Sequence, residues 1–253
     1  MTKDLECHDI PRASDDEKRT RQSMLHLFKT TPIPEVELLD NLGLFVRRQH
    51  TAGLLALTEI YRMILDVQGI VCEFGVRWGR NLALFSSLRG IFEPYNFYRR
   101  IVGFDTFSGY PSVGKEDGAA KLMKPGAFDV VPNYKNYLEE LMTLHEKESP
   151  LAHIRRFELR EGDASTEVQK YLEQRPETMI ALAYFDLDLY EPTHRCLEAI
   201  MPYISIGGIV AFDELCHPEF PGETLAFREV LAKKNLRLRR TLVHPSPTYV
   251  VIE

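Results

Sequence analysis

Seven carboxylates in this chain lie at or just beyond the ends of apolar runs: Glu73, Asp105, Asp163, Asp186, Asp188, Asp213 and Glu214. One acid after one strand is commonplace. Acids after five successive strands, brought to one rim, repel one another unless a partner sits among them. That partner must be cationic or rich in hydroxyls: a sulfonium, an amine, a ribose or a divalent metal. Position separates the roles. Glu73 precedes the turn Phe74-Gly75-Val76-Arg77-Trp78-Gly79-Arg80. Gly75 lets the backbone leave a strand with no Cβ in the way. Gly79 lets a helix N-terminus approach an electron-rich ligand. An ordinary strand-to-helix turn with a surface acid would read the same. Asp105 closes the second run, where an acid can accept from both hydroxyls of a ribose. Asp163 follows the third and can accept from an adenine amine. Asp186, Asp213 and Glu214 close adjacent runs and can reach one ion, for which carboxylates and water suit a hard cation such as Mg²⁺. His217 lies close to them and reads equally as a loop histidine. Asp188 and Glu191 read equally as acids at a helix N-terminus.

The elements that position these acids alternate. Apolar runs at 69–74, 100–105, 154–160, 179–185 and 208–212 predict strands. Helical spacing follows at 78–92, 137–147, 165–173, 192–201 and 224–234, with Ser165 as the expected N-cap of the third of these helices. Residues 236–242 and 248–252 predict a closing pair of strands with no helix between them, so one should run antiparallel. The fold class is α/β: a doubly wound, mostly parallel, seven-stranded Rossmann-like sheet. Ligands of such sheets bind beyond the carboxyl ends of the strands. Ahead of the sheet, residues 1–21 predict a polar tail broken at Pro11. A short helix is expected over 23–30, then helices over 35–48 and 51–66. The division is therefore a tail and helical cap at 1–66 and a main domain at 67–253. Residues 107–134 lack a period and carry Gly109, Pro111, Gly114, Gly118, Pro125, Gly126 and Pro132. A loop this long in a compact domain is a disordered insert or an active-site lid, and its place after a strand end favours the lid.

Composition narrows the class. The chain has 253 residues, 44% hydrophobic and 27% charged, as in a soluble globular protein, and a net charge of -6. The one basic run, Arg237 to Arg240, reads as the solvated end of a strand, so nucleic acid is not the expected partner. No run is long enough to span a bilayer. The four cysteines form no C-x-x-C pair and no signal-peptide pattern opens the chain, which fits a cytoplasmic setting. Cys72 and Cys196 fall in apolar patterns and read as buried thiols.

Four segments together resemble a known family. They are Glu73-Phe74-Gly75-Val76-Arg77-Trp78-Gly79; Phe104-Asp105-Thr106-Phe107 with Gly109; Asp186-Leu187-Asp188-Leu189-Tyr190-Glu191-Pro192-Thr193; and Gly207-Gly208 with Asp213-Glu214. They resemble the class I S-adenosylmethionine methyltransferases, and within these the macrocin and mycinamicin sugar O-methyltransferases. The resemblance covers roughly residues 69–231. It implies that Glu73, Gly75 and the turn through Arg77, Gly79 and Arg80 hold the methionine part of S-adenosylmethionine. It further implies that Asp105 with Thr106 binds the ribose, that Asp163 with Ala164 meets the adenine, and that Asp186 lies beside the cofactor. Asp186, Asp213 and Glu214 match the family's Mg²⁺ ligands, although the family has Asp-Asp or Asp-Asn where this chain has Asp213-Glu214. Leu187 stands where the family often has glycine.

The implied reaction is methylation of a hydroxyl on a sugar or sugar nucleotide, with Asp186, Asp188 or His217 taking the proton and the 108–134 loop closing over the site. A homo-oligomer is expected from the apolar stripes of the N-terminal helices. A catechol-type aryl O-methyltransferase would share cofactor and metal. A nicotinamide-dependent oxidoreductase would share the sheet, but G-x-G-x-x-G is absent. A non-catalytic binding protein on the same fold would not need five acids at one rim.

Overall fold

The computed structural model describes residues 13–253. Contacts divide the chain after Thr51 into two compact units. In the first, helix α1 spans Asp15–Lys29. It is longer than the helix expected over 23–30 and replaces part of the expected tail. Its start is a capping box: the Ser14 hydroxyl accepts from the Glu17 N–H at 3.2 Å, while the Glu17 carboxylate accepts from the Ser14 N–H at 2.8 Å. The rest of that tail, residues 1–12, lies outside the described residues. The helix expected over 35–48 is broken. It consists of one turn, α2 (Glu35–Leu38), and a 3-10 turn at Leu42–Phe45. Gly43 weakens the middle of that stretch, and its apolar residues Val36 and Leu39 are exposed, so no buried face holds it helical.

Helix α3 (Arg48–Arg62) leads into the second unit. A seven-stranded sheet follows, in the order β3-β2-β1-β4-β5-β7-β6. Its strands are β1 (Ile70–Phe74), β2 (Ile101–Asp105), β3 (Phe157–Glu161), β4 (Ile180–Phe185), β5 (Ile204–Phe212), β6 (Arg239–Arg240) and β7 (Thr248–Val251). The first five are mutually parallel, and β7 runs antiparallel to both β5 and β6, as the missing helix required. The crossover helices are α4 (Arg80–Phe92), α5 (Tyr134–Lys147), α6 (Ala164–Gln174), α7 (Tyr190–Ile200) and α8 (Gly222–Val230).

Strand periodicity sorts side chains between two cores. Ile70, Cys72 and Phe74 of β1 join the core under α6, α7 and α8; Val71 joins the core under α3, α4 and α5. Both cores are continuous because the central strands β1 and β4, covered on both faces, are apolar at nearly every position, Glu73 in β1 being the exception. Cys72 and Cys196 are buried free thiols, as expected. The last core positions of four adjacent strands form one row of stacked rings. Phe104, Phe74, Phe185 and Phe212 have successive centroid distances of 5.0, 4.6 and 5.1 Å. Each is followed by Gly75 or by one of the acids Asp105, Asp186 and Asp213. The rim acids therefore stand at the edge of an aromatic layer that excludes water from one side.

Candidate active site at the carboxyl ends of the strands

The ladder continues one residue past the strands. The N–H groups of Gly75, Asp186, Asp213 and Gly162 donate to Phe104, Phe74, Phe185 and Asp105 at 2.8–2.9 Å. This aligns Gly75, Asp105, Asp186 and Asp213 along one rim. Gly75 has φ +90°, and a Cβ there would lie 1.9 Å from the Asp186 carbonyl oxygen. The turn after β1 is thus pressed onto the end of β4, and only glycine fits. Gly79 is also left-handed, but its Cβ space is filled by Leu138 of α5 at 2.4 Å. Helix packing is enough to require that glycine.

Glu73 is 1% exposed and one of its carboxylate oxygens, Oε2, has no hydrogen-bond partner. Burial pushes its carboxyl well above the usual range, opposed by the Arg80 charge and the Asn81 amide. A buried orphan oxygen at a strand end is an acceptor that an ammonium group would satisfy. Asp105 is held by three backbone N–H groups. Oδ2 accepts from Val76 and Arg77, each at 2.7 Å, and Oδ1 from Phe107 at 2.6 Å. It therefore sets the course of both the glycine turn and the start of the long loop. Thr106 closes that loop's first turn, its hydroxyl donating to the Gly109 carbonyl at 2.7 Å.

Asp163, not Ser165, caps α6, accepting from the Thr166 N–H at 3.0 Å. The capping group sits one residue before the buried Ala164, and Ser165 is the residue that bonds back to it. Burial raises the Asp163 carboxyl, but the hydrogen bonds from Ser165 and Thr166 outweigh it and hold it below the usual range.

Asp186, Asp188 and Asp213 come together. Burial, and then the charges of Asp213 and Asp188, push Asp186 well above the carboxylate range. Asp188 has φ +61° and receives a hydrogen bond from the Tyr110 hydroxyl. Burial raises its carboxyl to about 6 against the opposing pull of Tyr110 and the Arg77 guanidinium. Arg77 reaches this region over the Phe128 ring, 4.9 Å from its centroid. Arg80 instead donates to its neighbour Asn81 at 3.1 Å. Asp213 accepts from Tyr184 Oη at 2.8 Å and from Ser246 Oγ at 3.4 Å.

Glu214 lies 3.8 Å from His217 Nδ1, and His217 stacks toward Phe220. Among the described residues, no three His, Cys, Asp or Glu side chains converge on a point that could hold a metal ion. Asp186, Asp213 and Glu214 therefore do not form a metal-ligand set as placed. Asp213 and Asp186 act on each other through their charges.

Three participants carried no signal that the sequence reading used. Tyr110 lies in the aperiodic loop. It anchors that loop through a small core with Ala127 and Leu189, and its N–H donates to the Ala127 carbonyl at 3.0 Å. Asp117, 3% exposed, accepts from the Tyr190 N–H at 2.6 Å, capping α7 from a distant part of the chain. Glu223 is fully buried at the start of α8. A Gly-Glu pair after proline at a helix start was the available clue to the last.

No protein-family model matches the chain, and no curated protein matches it. Solved structures do. A crystal structure of CalS11, described as calicheamicin methyltransferase, is 48% identical, with a TM-score of 0.92, over 94% of this chain and 93% of its own. The apo structure of CalS11, described as a TDP-rhamnose 3'-O-methyltransferase, is 45% identical, with a TM-score of 0.83, over 94% of this chain and 95% of its own. The O-methyltransferase NovP shares the fold at 21% identity and a TM-score of 0.59, over 79% of each chain. An acid-rimmed parallel sheet, a glycine turn pressed onto β4 and this likeness over nearly the whole length lead to one conclusion: the chain belongs to the S-adenosylmethionine-dependent O-methyltransferases of class I fold.

Proposed function

We propose that the acceptor is a hydroxyl of a deoxysugar carried on a nucleotide, and that the product belongs to a natural-product pathway. The observation that carries this reading is the 45% identity over 94% of the chain to a TDP-rhamnose 3'-O-methyltransferase. The acid-rich rim supports it, because a polyhydroxylated ligand satisfies many carboxylate acceptors at once.

S-adenosylmethionine, when bound, supplies an electrophilic methyl group on a cationic sulfur. Glu73 would hold its ammonium group through the orphan Oε2, beside Gly75. Asp105 would meet the ribose through the lone pair that its three backbone hydrogen bonds leave on Oδ1, and Asp163 would meet the adenine beside its role as the α6 cap. Asp188 is the proposed general base. A carboxyl held near 6 is largely ionised at neutral pH yet basic enough to draw a proton from a hydroxyl during attack. The sugar oxygen bonds to the methyl carbon as the carbon–sulfur bond breaks, the electron pair stays on sulfur, and the hydroxyl proton ends on Asp188. Alignment supplies most of the acceleration, and the neighbouring acids favour a transition state in which positive charge is still present. The 107–134 segment acts as lid, with Tyr110 linking it to Asp188.

The test is methyl transfer from labelled S-adenosylmethionine to TDP-rhamnose, to free rhamnose and to catechol, followed by NMR. The reading predicts turnover of the nucleotide sugar and none of catechol. Equal or faster methylation of catechol would overturn it.

A further inference from the structure

Glu223 belongs to neither of the loops that carry the rim acids, yet it holds both. Its Oε1 accepts from the N–H groups of Leu187 at 2.9 Å and Asp188 at 3.3 Å, and its Oε2 accepts from the N–H of Glu214 at 3.2 Å. The side chain is 0% exposed. The preceding residue presses on the same segment, since a Cβ on Gly222 would lie 2.5 Å from the Asp188 carbonyl oxygen and 2.6 Å from the Tyr190 nitrogen. Asp188 itself sits at φ +61°, a backbone state costly for a residue with a Cβ unless its surroundings enforce it.

We propose that Glu223 is a positioning residue for methyl transfer. From the first turn of α8 it clamps the loops after β4 and β5, fixing the Asp188 carboxylate on the reacting hydroxyl. This rests on the reading of Asp188 given above. A carboxylate is the group the arrangement needs. It offers acceptors on both oxygens, whereas an amide would turn an NH₂ group toward the N–H of one of the two loops. The cost of a lost clamp is misalignment, and about 1 Å of misplacement can cost a hundredfold in rate.

The experiment is steady-state kinetics and S-adenosylhomocysteine affinity for wild type, Glu223→Gln, Asp188→Asn and the double variant, each first checked for folding by thermal melt. The clamp predicts that Glu223→Gln lowers kcat by about 10- to 100-fold while S-adenosylhomocysteine affinity stays within about twofold. The double variant should be no slower than Asp188→Asn alone, because the clamp acts through that carboxylate. Rates that multiply in the double variant, or a folded Glu223→Gln with wild-type kcat, would overturn it. If Glu223→Gln does not fold, Gly222→Ala pushes the same segment without altering the carboxylate. A lowered kcat with intact S-adenosylhomocysteine binding then supports the clamp, and an unchanged kcat overturns it. A wild type that neither binds S-adenosylhomocysteine nor transfers methyl overturns both readings; an active wild type with an equally active variant overturns the clamp alone.

Discussion

The two ends of the parallel strands bury charge in opposite ways. At the amino ends, Arg89, Arg99 and Arg156 are fully buried beside Glu93 and Glu146. Arg99 donates to the carbonyls of Ile64 and Val67 at 2.9 and 2.8 Å, and also to that of Gly69, while meeting Glu93 at 2.9 Å. Arg89 donates to the Arg156 carbonyl at 2.9 Å and pairs with Glu146, which also accepts from the Arg156 N–H at 3.0 Å. The Tyr61 hydroxyl completes Glu93 at 2.7 Å. Opposite charges and backbone carbonyls thus offset one another, with only Arg89 Nε and Arg156 Nε and Nη1 of the three guanidinium groups left without a hydrogen-bond partner, and the network staples the starts of β1, β2 and β3. At the carboxyl ends, Glu73, Asp186, Asp188, Asp213 and Glu223 crowd one another, with Arg77 and Arg80 as the opposing charges acting on Asp188 and Glu73. One end spends its buried charge on holding the sheet together. The other keeps carboxylates under mutual repulsion, a state that costs stability and that a cationic ligand relieves.

This contrast can be broken by exchange of charge at either end. The largest expected effect is on turnover. Asp188→Asn should lower kcat by roughly 10²- to 10⁴-fold, the usual worth of a general base, while the protein melts no lower than wild type. A melting temperature that falls with activity would mean the acid is structural. At the other end, Arg99→Met leaves Glu93 buried without its cationic partner and takes a donor from three carbonyls. It should lower unfolding free energy by about 3–5 kcal/mol in urea titration, with kcat per folded molecule within about threefold of wild type.

The pH dependence is smaller and has a definite sign. Asp188 titrates near 6 in the folded chain and near 4 when unfolded, so between those values the folded state holds the extra proton. Its contribution is fully present below about pH 4 and is lost as pH rises through about 6. Wild type should therefore lose up to about 2 kcal/mol relative to Asp188→Asn across that window, read from denaturant midpoints at each pH. Parallel curves would remove the claim that Asp188 is strained by burial. The smallest effect belongs to Tyr110→Phe. It deletes one hydrogen bond to Asp188 and should cost about tenfold or less in kcat with little change in melting temperature.

Much of the sheet was legible because β1, β2, β4 and β5 are apolar runs stopped by a glycine or an acid; β3, with Glu158, Arg160 and Glu161, and β6, Arg239-Arg240, lack that signature. The rim was legible for the same reason: Phe74-Gly75, Phe104-Asp105, Phe185-Asp186 and Phe212-Asp213 repeat one aromatic-then-turn signature, although its stacked row emerges only when the strands align. Local rules erred where two candidates competed. Asp163 and Ser165 both suit an N-cap, and burial of Ala164 decided between them. Ser14-x-x-Glu17 is a capping box that locates α1, but the surrounding polarity masked it. Glu223, Asp117 and Tyr110 act on backbone or carboxylates 9 to 78 positions away. No periodicity encodes such pairings, so their roles follow only from the folded chain.

The claim that the acidic rim awaits a cationic cosubstrate is tested most directly by calorimetric titration with S-adenosylhomocysteine at pH 6.5, in buffers of different ionisation enthalpy. The account predicts micromolar binding with net proton release, because burial raises the Glu73 carboxyl and an ammonium group beside it draws it back down. It also predicts roughly tenfold weaker binding without that release for Glu73→Gln, the worth of one charge-assisted hydrogen bond. Binding of equal strength and equal proton exchange by both proteins would contradict it.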